Sequence, residues 1–191
     1  DMEVALCQNT AKNAGNATTA RQTRSFEAWI TTNKSRGTGG ADGSASAAAT
    51  DAATGNRRAL TEALLKGVLQ SMFTNGAEPK MAIAGPVNKG VISGFTGRSN
   101  TRQNVSADTV SASISVYASD FGELQIVPSN RSRDRSLLLV DPEYAKVAYL
   151  RNFQTMDIAK IGDADTKMIL AEYGLEMSNE AAHGIVADLT A

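Results

Sequence analysis

Apolar residues recur at helical spacing over residues 57–75, which marks the clearest helix in the chain. In RRALTEALLKGVLQSMFTNG the i, i+3, i+4, i+7 spacing predicts one apolar face, made of Leu60, Ala63, Leu64, Gly67, Val68, Ser71 and Met72. Gly76 follows as a typical C-terminal stop. The short apolar run KMAIAG (80–85) predicts a strand, and Pro86 is well placed to begin a second helix, PVNKGVISGF.

The second half of the chain alternates apolar and polar residues with the period of two that is typical of strands. The first predicted strand, 109–122, has Val110, Ala112, Ile114 and Val116 on its apolar face. Further strands are predicted at ELQIVP (123–128), SLLLVD (136–141) and KVAYLR (146–151). Residues 153–179 predict a long hairpin around IGDADT, followed by a short helix at 180–183, a stop at Gly184 and a last strand, IVADL. This order of elements, with a mixed region before mostly antiparallel strands, predicts an α+β fold.

The first 55 residues carry less regular patterns. Residues 1–14 (DMEVALCQNTAKNA) predict a helix that stops near Gly15. Because no capping residue precedes Asp1, we expect this helix to be the end of a longer one. Phe26, Trp29 and Ile30 are expected to anchor the next segment in a core. All but two of residues 37–55 are Gly, Ala, Ser or Thr, which predicts a flexible surface loop.

The composition excludes several kinds of site. The chain has 191 residues with one Cys and one His, so an intramolecular disulfide, a Cys-rich zinc site and a His-rich metal site are excluded. A formal net charge of −1 argues against a protein built chiefly to coat nucleic acid. No run of 18 apolar residues is present, so no membrane-spanning helix is predicted. The length allows one large domain or two small ones.

Two clusters of residues invite a chemical interpretation. NRSRDR (130–135) places Arg131, Arg133 and Arg135 around Asp134, and on an extended segment the three Arg share a face that is suited to intersubunit ion pairs or to phosphates. A solvated charged loop is the alternative. His183 follows Glu180 on a short helix and is a possible general base, although no nucleophile is marked by a Gly-x-Ser-x-Gly elbow. The ordinary alternative is a His at a helix C-terminus that interacts with the helix dipole.

Several segments taken together resemble the major capsid proteins of tailed bacteriophages. The segments are RALTEALLKGVLQSMFTNGAEP (58–79), AGPVNKGVISGFTG (84–97), SVYASDFGELQIVPSNR (115–131), LVDPEYAKVAYLRNFQTMDIAKIGDADTK (139–167) and NEAAHGIVADLT (179–190). VDPEYAKVAYLR and NEAAHGIVADLT are the most distinctive. The resemblance runs nearly from end to end of the chain.

The resemblance implies the Hong Kong 97-like capsid fold, which is an α+β fold. It assigns residues 1–14 to the end of the spine helix in the peripheral domain and residues 15–145 to the axial domain. Residues 146–180 would form the long β-hairpin of the peripheral domain, and residues 181–191 a C-terminal strand that returns to the axial domain. The N-arm, the extended loop and most of the spine helix of such proteins have no counterpart in this sequence, so the chain matches only their C-terminal portion.

The implied function is structural. The chain would be a subunit that self-assembles into pentameric and hexameric capsomers of a phage or prophage head enclosing double-stranded DNA, made in the host cytoplasm and located in the virion. Its partners would be capsomer neighbours, with scaffold and portal proteins as further ones, and packaged DNA would be touched only weakly and non-specifically. No cofactor, metal, membrane or catalytic residue is implied, and Arg131, Arg133, Asp134 and Arg135 are the candidate intersubunit contacts. The alternatives are an encapsulin-like compartment shell and, in another class, a small hydrolase using His183.

Overall fold

The computed structural model describes residues 2–95, 115–159, 162–163 and 165–190. Its helices are α1 Met2–Cys7, α2 Phe26–Trp29, α3 Glu62–Thr74 and α4 Pro86–Ser93, with 3-10 turns at Thr54–Asn56 and Glu180–Ala182. Its strands are β1 Asn33–Ser35, β2 Met81–Ala84, β3 Val116–Ser119, β4 Gly122–Pro128, β5 Leu137–Val140, β6 Ala145–Asp157, β7 Lys167–Met177 and β8 Gly184–Val186. The predicted α+β class is therefore confirmed.

Six of the strands form one mixed sheet in the order β1-β8-β5-β2-β4-β3. The pairs β1–β8 and β2–β4 are parallel, whereas β8–β5, β5–β2 and β4–β3 are antiparallel. The C-terminal strand β8 thus lies inside the sheet, between β1 and β5. We call the sheet with its covering helices the body.

The remaining two strands, β6 and β7, pair only with each other among the described residues and form a long antiparallel hairpin. The hairpin predicted at 153–179 is confirmed, but its first arm begins earlier, at Ala145, and absorbs the separate strand predicted at 146–151. Register shifts on β6 near Arg151 interrupt the pairing. We call residues 145–177 of this hairpin the ribbon.

Strand β5 lies at the centre of the body, and all four of its residues are buried. Leu137 and Leu139 belong to the cluster that packs under α3, while Leu138 and Val140 belong to a second cluster on the opposite face. A strand covered on both faces is expected to be apolar throughout, which explains the sequence LLLV. The second cluster includes Leu6, Phe26 and Ile30, and the base of the ribbon packs against it through side chains such as Val147 and Leu175.

Helix α3 begins at Glu62, five residues later than predicted, because Arg58 forms a β-bridge with Leu189 ahead of it. Thr61 caps it by accepting the N–H of Leu64. The predicted apolar face is partly confirmed: Val68 and Met72 are buried, but Leu65 and Leu69 join them, while Ala63 and Gly67 are exposed. The same face meets β8 at Gly184, where an added Cβ would lie 2.5 Å from Met72 Sδ. Gly184 therefore permits close helix–sheet packing and is the first residue of β8, not a helix stop.

Strand β2 and helix α4, which begins at Pro86, are confirmed as predicted. On β3 the predicted face is reversed, because Tyr117 is buried and Val116 is exposed. The Tyr117 hydroxyl donates to Glu62 at 2.9 Å, so this side chain supplies both packing and a polar contact with α3. The positions predicted at Val110, Ala112 and Ile114 lie outside the described residues.

Two predictions for the first 55 residues were wrong. Helix α1 ends at Cys7, because the residues after it make tertiary contacts: Asn9 exchanges hydrogen bonds with Ala49, and Asn13 bridges to Gln22. Residues 37–55 pack on the body instead of forming a free surface loop. Ala49 and Ala52 are buried, and Gly43 lies so close to α2 that an added Cβ would be 2.7 Å from Ala28 Cα.

Asp188 holds this small-residue segment in place. Its buried carboxylate accepts the N–H of Gly37 at 2.9 Å and the N–H of Ala52 at 2.7 Å. The residue has φ 59, in the left-handed region that Asp tolerates better than most residues. Segment 37–55 therefore lacks large apolar side chains but is ordered by backbone hydrogen bonds to one carboxylate.

Candidate functional site

The four residues predicted as intersubunit contacts lie in the loop between β4 and β5, and most of them are engaged within the chain. Arg133 donates to Glu27 at 3.0 Å and also pairs with Asp51. Arg135 pairs with the same Asp51 oxygen at 3.0 Å. Ser136 donates its hydroxyl to Glu27 at 3.1 Å. We call these five residues, Glu27, Asp51, Arg133, Arg135 and Ser136, the ion network.

Glu27 is the most deeply placed charge of the ion network, with 1% of its surface exposed. Burial raises the pKa of Glu27, and Arg133 and Arg36 act in the opposite sense. Burial alone would raise the pKa of Asp51 too, but hydrogen bonds from Arg135 and Arg133 outweigh it and hold that pKa below its usual value. The network thus joins α2, segment 37–55 and the β4–β5 loop through charge-assisted hydrogen bonds.

Asp134 makes a contact within the chain through its side chain, whereas the contacts of Arg131 are made by its backbone. The Asp134 carboxylate accepts the N–H of Val87 at 3.1 Å, in the first turn of α4, where a negative charge is favoured. Arg131 is exposed, and only its backbone is used: its carbonyl accepts from Gln8 and its N–H donates to Ser129. No ion pair forms at its guanidinium within the described ranges. The intersubunit role therefore stays a prediction.

The ribbon is the second feature of note, because it exposes a row of large apolar side chains. Leu150 is 77% exposed, Ile169 72% and Phe153 60%. Tyr149, Met156, Ile158 and Met168 are also exposed, at 42–48%. Exposed apolar residues are common singly, but several large ones on one element make it a candidate interaction surface.

Apolar residues occur on both faces of the outer ribbon. Met156 lies directly opposite Met168, and the neighbouring pair is Thr155 with Ile169. Since side chains alternate across a strand, these two pairs project to opposite faces. Nearer the body, Arg151 forms a two-point ion pair with Glu172 at 2.9 and 2.6 Å. On both faces of the outer ribbon, apolar side chains are therefore in contact with water.

A groove lies where the ribbon leaves the body. It has a volume of about 590 Å³ and is walled by α1 at Ala5, by residues 21–23, and by Tyr149 and Tyr173 of the ribbon. This groove is not predictable from the sequence, because residues 21–23 are polar and carry no periodic signal. The exposure of the ribbon was not predicted either. The sequence does contain a usable signal for it, because no helix that could cover the two long arms lies between them.

His183 and Glu180 give no support to the hydrolase alternative. His183 is fully buried, and its Nδ1 accepts the backbone N–H of Asp141 at 3.2 Å. Burial lowers the pKa of His183, while contributions from Tyr144, Asp141 and Glu180 oppose that shift. The Glu180 carboxylate accepts hydrogen bonds from the Thr31 and Thr32 backbones at 2.5 and 2.7 Å. Both side chains are thus used to tie segments together, and neither faces a substrate.

Other reactive chemistry is equally weak in the described part of the chain. Burial, reinforced by Glu3, raises the pKa of the Cys7 thiol to about 11, which leaves little thiolate at neutral pH. Across residues 2–95, 115–159, 162–163 and 165–190, no cluster of three or more His, Cys, Asp or Glu is placed to bind a metal. Among the helices of those ranges, none has the length and apolarity to cross a bilayer.

Comparison with known proteins shows the family to which the chain belongs. A family model of major capsid proteins matches residues 1–190, nearly the whole sequence. The family is the SU10 major capsid protein family, and the chain belongs to it. The chain is therefore related to phage major capsid proteins. Family membership confirms the resemblance read from the sequence.

Two further comparisons add little. No curated protein matches the chain. One similar solved structure is the crystal structure of a virus-like particle from Pyrococcus furiosus, with 13% identity and a TM-score of 0.43. That match covers 68% of this chain and 53% of the other, so the chain spans about half the length of that protein. At this level the likeness carries no argument.

Proposed function

We propose that this chain builds the head of a tailed phage or prophage by self-assembly into pentameric and hexameric capsomers around double-stranded DNA, and that the ribbon is one of the surfaces covered by neighbouring copies. Membership of a major capsid protein family supports the first part of the proposal. The observation that carries the second part is the exposure of Leu150, Phe153 and Ile169 on an element that projects from the body.

The physical reason is the cost of leaving this surface in water. Burying apolar area contributes roughly 25 cal/mol per Å², so covering several large side chains favours association by several kcal/mol before the entropy of association is counted. A contact between unlike surfaces of two copies closes into a ring when the rotation allows, as capsomers require. Many such contacts act together in a shell, so each needs to be only moderately strong.

The fold that we propose is Hong Kong 97-like, with residues 1–14 as the end of the spine helix and residues 15–145 as the axial domain. Residues 146–180 would be the hairpin of the peripheral domain, and residues 181–191 the strand that returns to the axial domain. The position of β8 in the six-stranded sheet and the separate pairing of β6 with β7 support this division.

Charge supports two further parts of the proposal. Arg131, with an exposed guanidinium, is the best intersubunit ion-pair candidate of the predicted set, and the half-exposed Arg135 is the next. A net charge of −1 suits a shell that encloses DNA without holding it tightly, since tight non-specific binding needs many cationic contacts. Scaffold and portal proteins are proposed as further partners.

The test is particle formation by ribbon variants of the complete gene product. Replacing Phe153 and Ile169 together by Ser should abolish or strongly reduce particles in negative-stain microscopy, because it removes exposed apolar area. Thermal melting of the unassembled subunit should stay nearly unchanged. Gln154→Ser, a polar change on the same ribbon, is the matched control and should assemble normally. Normal particles from the double variant would contradict the role of the ribbon.

The contents of the particle decide between a phage head and an encapsulin-like compartment. We expect purified particles to protect double-stranded DNA from nuclease. Particles that contain a protein cargo and no protected DNA would favour the compartment shell. This measurement does not depend on the outcome of the ribbon variants.

A further inference from the structure

Two short connections attach the ribbon to the sheet. Residues 141–144 lead from β5 into β6, and residues 178–183 lead from β7 back to β8. The two connections touch each other, since the Ser178 N–H donates to the Tyr144 carbonyl at 2.9 Å. The path of the ribbon relative to the sheet is therefore set over about ten residues.

The imidazole of His183 also joins these connections. Its Nδ1 accepts the N–H of Asp141, the first residue of the other connection, at 3.2 Å. The ring is fully buried and meets the Phe26 ring edge to face, with 6.2 Å between centroids. Its backbone is held too, because Asn33 Nδ2 donates to the His183 carbonyl at 3.1 Å. The ring has little freedom to move while the body is intact.

This geometry requires the neutral ring. An imidazole nitrogen accepts a hydrogen bond only when it carries no proton, so the proton of neutral His183 is on Nε2. Nε2 makes no hydrogen bond in the described part of the chain, although the nearby Tyr144 backbone favours the protonated ring. Protonation would turn Nδ1 into a donor that faces the donor N–H of Asp141, so the Asp141 contact must break.

The charged groups around the ring are mostly committed elsewhere. From the first connection, the Asp141 carboxylate accepts the Glu143 N–H at 3.0 Å, and Glu143 pairs with Lys80 beside β2. On the 3-10 turn of His183 itself, Glu180 is bound by the Thr31 and Thr32 backbones. On α2, Glu27 belongs to the ion network. None of these carboxylates is hydrogen-bonded to the imidazole.

We infer that His183 is a proton-sensitive latch that fixes the ribbon to the sheet while it is neutral and releases the two connections when it is protonated. The rest of the body keeps its attachment, because α3 and the sheet pack through apolar side chains that do not titrate. The expected result of protonation is local opening at 141–145 and 178–183 and not global unfolding. This inference concerns the single chain and does not depend on how the ribbon contacts its neighbours.

Hydrogen exchange of the full chain, read by mass spectrometry and corrected for the intrinsic pH dependence, tests the latch. Between pH 7 and pH 5, peptides covering 141–145 and 178–183 should lose at least tenfold in protection, and their exchange should depend little on denaturant, whereas peptides from β2 and β5 exchange only through global unfolding. Strong denaturant dependence at the two connections, or no change with pH there, would overturn the inference.

Two variants sharpen the test. His183→Gln keeps an acceptor near the Asp141 N–H but cannot take a proton in this range, so its exchange at the connections should not depend on pH. Asp141→Asn is the matched control, because it removes a neighbouring charge and retains the backbone donor, and its connections should still open on acidification. If the Gln variant does not fold, the pH dependence and the denaturant dependence of exchange at the two connections of the unaltered chain still test the inference. A Gln variant with the same pH response as the unaltered chain would assign the response to another group.

Discussion

The body and the ribbon use apolar and charged residues in opposite ways. In the body, β5 buries four consecutive apolar residues between two clusters, and Glu27 is buried with Arg133 as its partner. In the ribbon, Leu150 and Ile169 are largely in water, and the Arg151–Glu172 pair is exposed. The body is thus held together by its own contacts, whereas the ribbon leaves apolar surface uncovered, which the proposed contacts with other copies would bury. Substitutions in the two regions should therefore separate folding from assembly.

The largest expected effect is the loss of the buried charge partner. Arg133→Ala leaves Glu27 buried without its main counter-charge, which should lower the free energy of unfolding by about 3–5 kcal/mol. Chemical denaturation of the unassembled chain measures this. Arg131→Ala, in the same loop, is the control and should change stability by less than about 0.5 kcal/mol while reducing particle yield. Equal stability losses in both variants would end the distinction between the two arginines.

The next effect compares one Leu from each region. Leu138→Ala in β5 removes a fully buried side chain, and we expect a loss of about 2–5 kcal/mol. Leu150→Ala in the ribbon, at 77% exposure, should cost less than about 0.5 kcal/mol but impair assembly. Denaturant melts and particle counts on the same preparations give both readings. A large stability loss from Leu150→Ala would show that the ribbon belongs to the folding unit of the body.

A smaller effect comes from pH at the junction of the two regions. The folded-state pKa of His183 is lowered by burial, so below its ordinary value near 6.5 the unfolded chain binds more protons than the folded one. The free energy of unfolding should therefore fall with decreasing pH, by at most about 1.4 kcal/mol per pH unit, until the folded-state pKa is reached. Denaturation series at pH 7, 6 and 5 measure the slope. His183→Gln should remove the part of the slope that comes from His183. Burial raises the pKa of Glu27, so Glu27 contributes in the opposite sense, but equally in both chains.

The smallest effect is expected at the exposed ion pair of the ribbon. Replacing Arg151 and Glu172 singly and together by Ala should give a coupling of about 0–1 kcal/mol, because water and salt screen exposed pairs. Thermal melting at low and high salt gives the coupling and its screening. A coupling well above this range would mean that the pair is shielded from water, in contrast to the exposure of its neighbours.

Much of the local structure could be predicted because it depends on spacing within a few residues. The strand at Met81–Ala84, the helix beginning at Pro86 and the hairpin arms all follow from short-range pattern. On α3 the burial of Val68 and Met72 was predicted, but Leu65 and Leu69 were missed, because the contact with β8 buries them and leaves Ala63 and Gly67 exposed. Segment 37–55 was misjudged because composition does not show that Asp188 would bind its backbone.

The candidate site was likewise predicted only in part. Its residues were found in the sequence, since a run with Arg131, Arg133 and Arg135 is conspicuous. Their partners were not, because Glu27 lies 106 residues from Arg133, and Asp51 lies 82 residues away. The pairing of His183 with the Asp141 backbone spans 42 residues and was equally invisible to local pattern.

The sequence by itself determined the α+β class, most of the strands, the ribbon and the resemblance to phage major capsid proteins. These rest on local periodicity and on residues in order along the chain. Only the tertiary structure decided which charges are buried and paired, that the small-residue segment is packed, and that the ribbon lacks cover among the described residues. The physical reason is that burial depends on which distant segments meet, and a meeting of distant segments leaves no mark in the spacing of one segment.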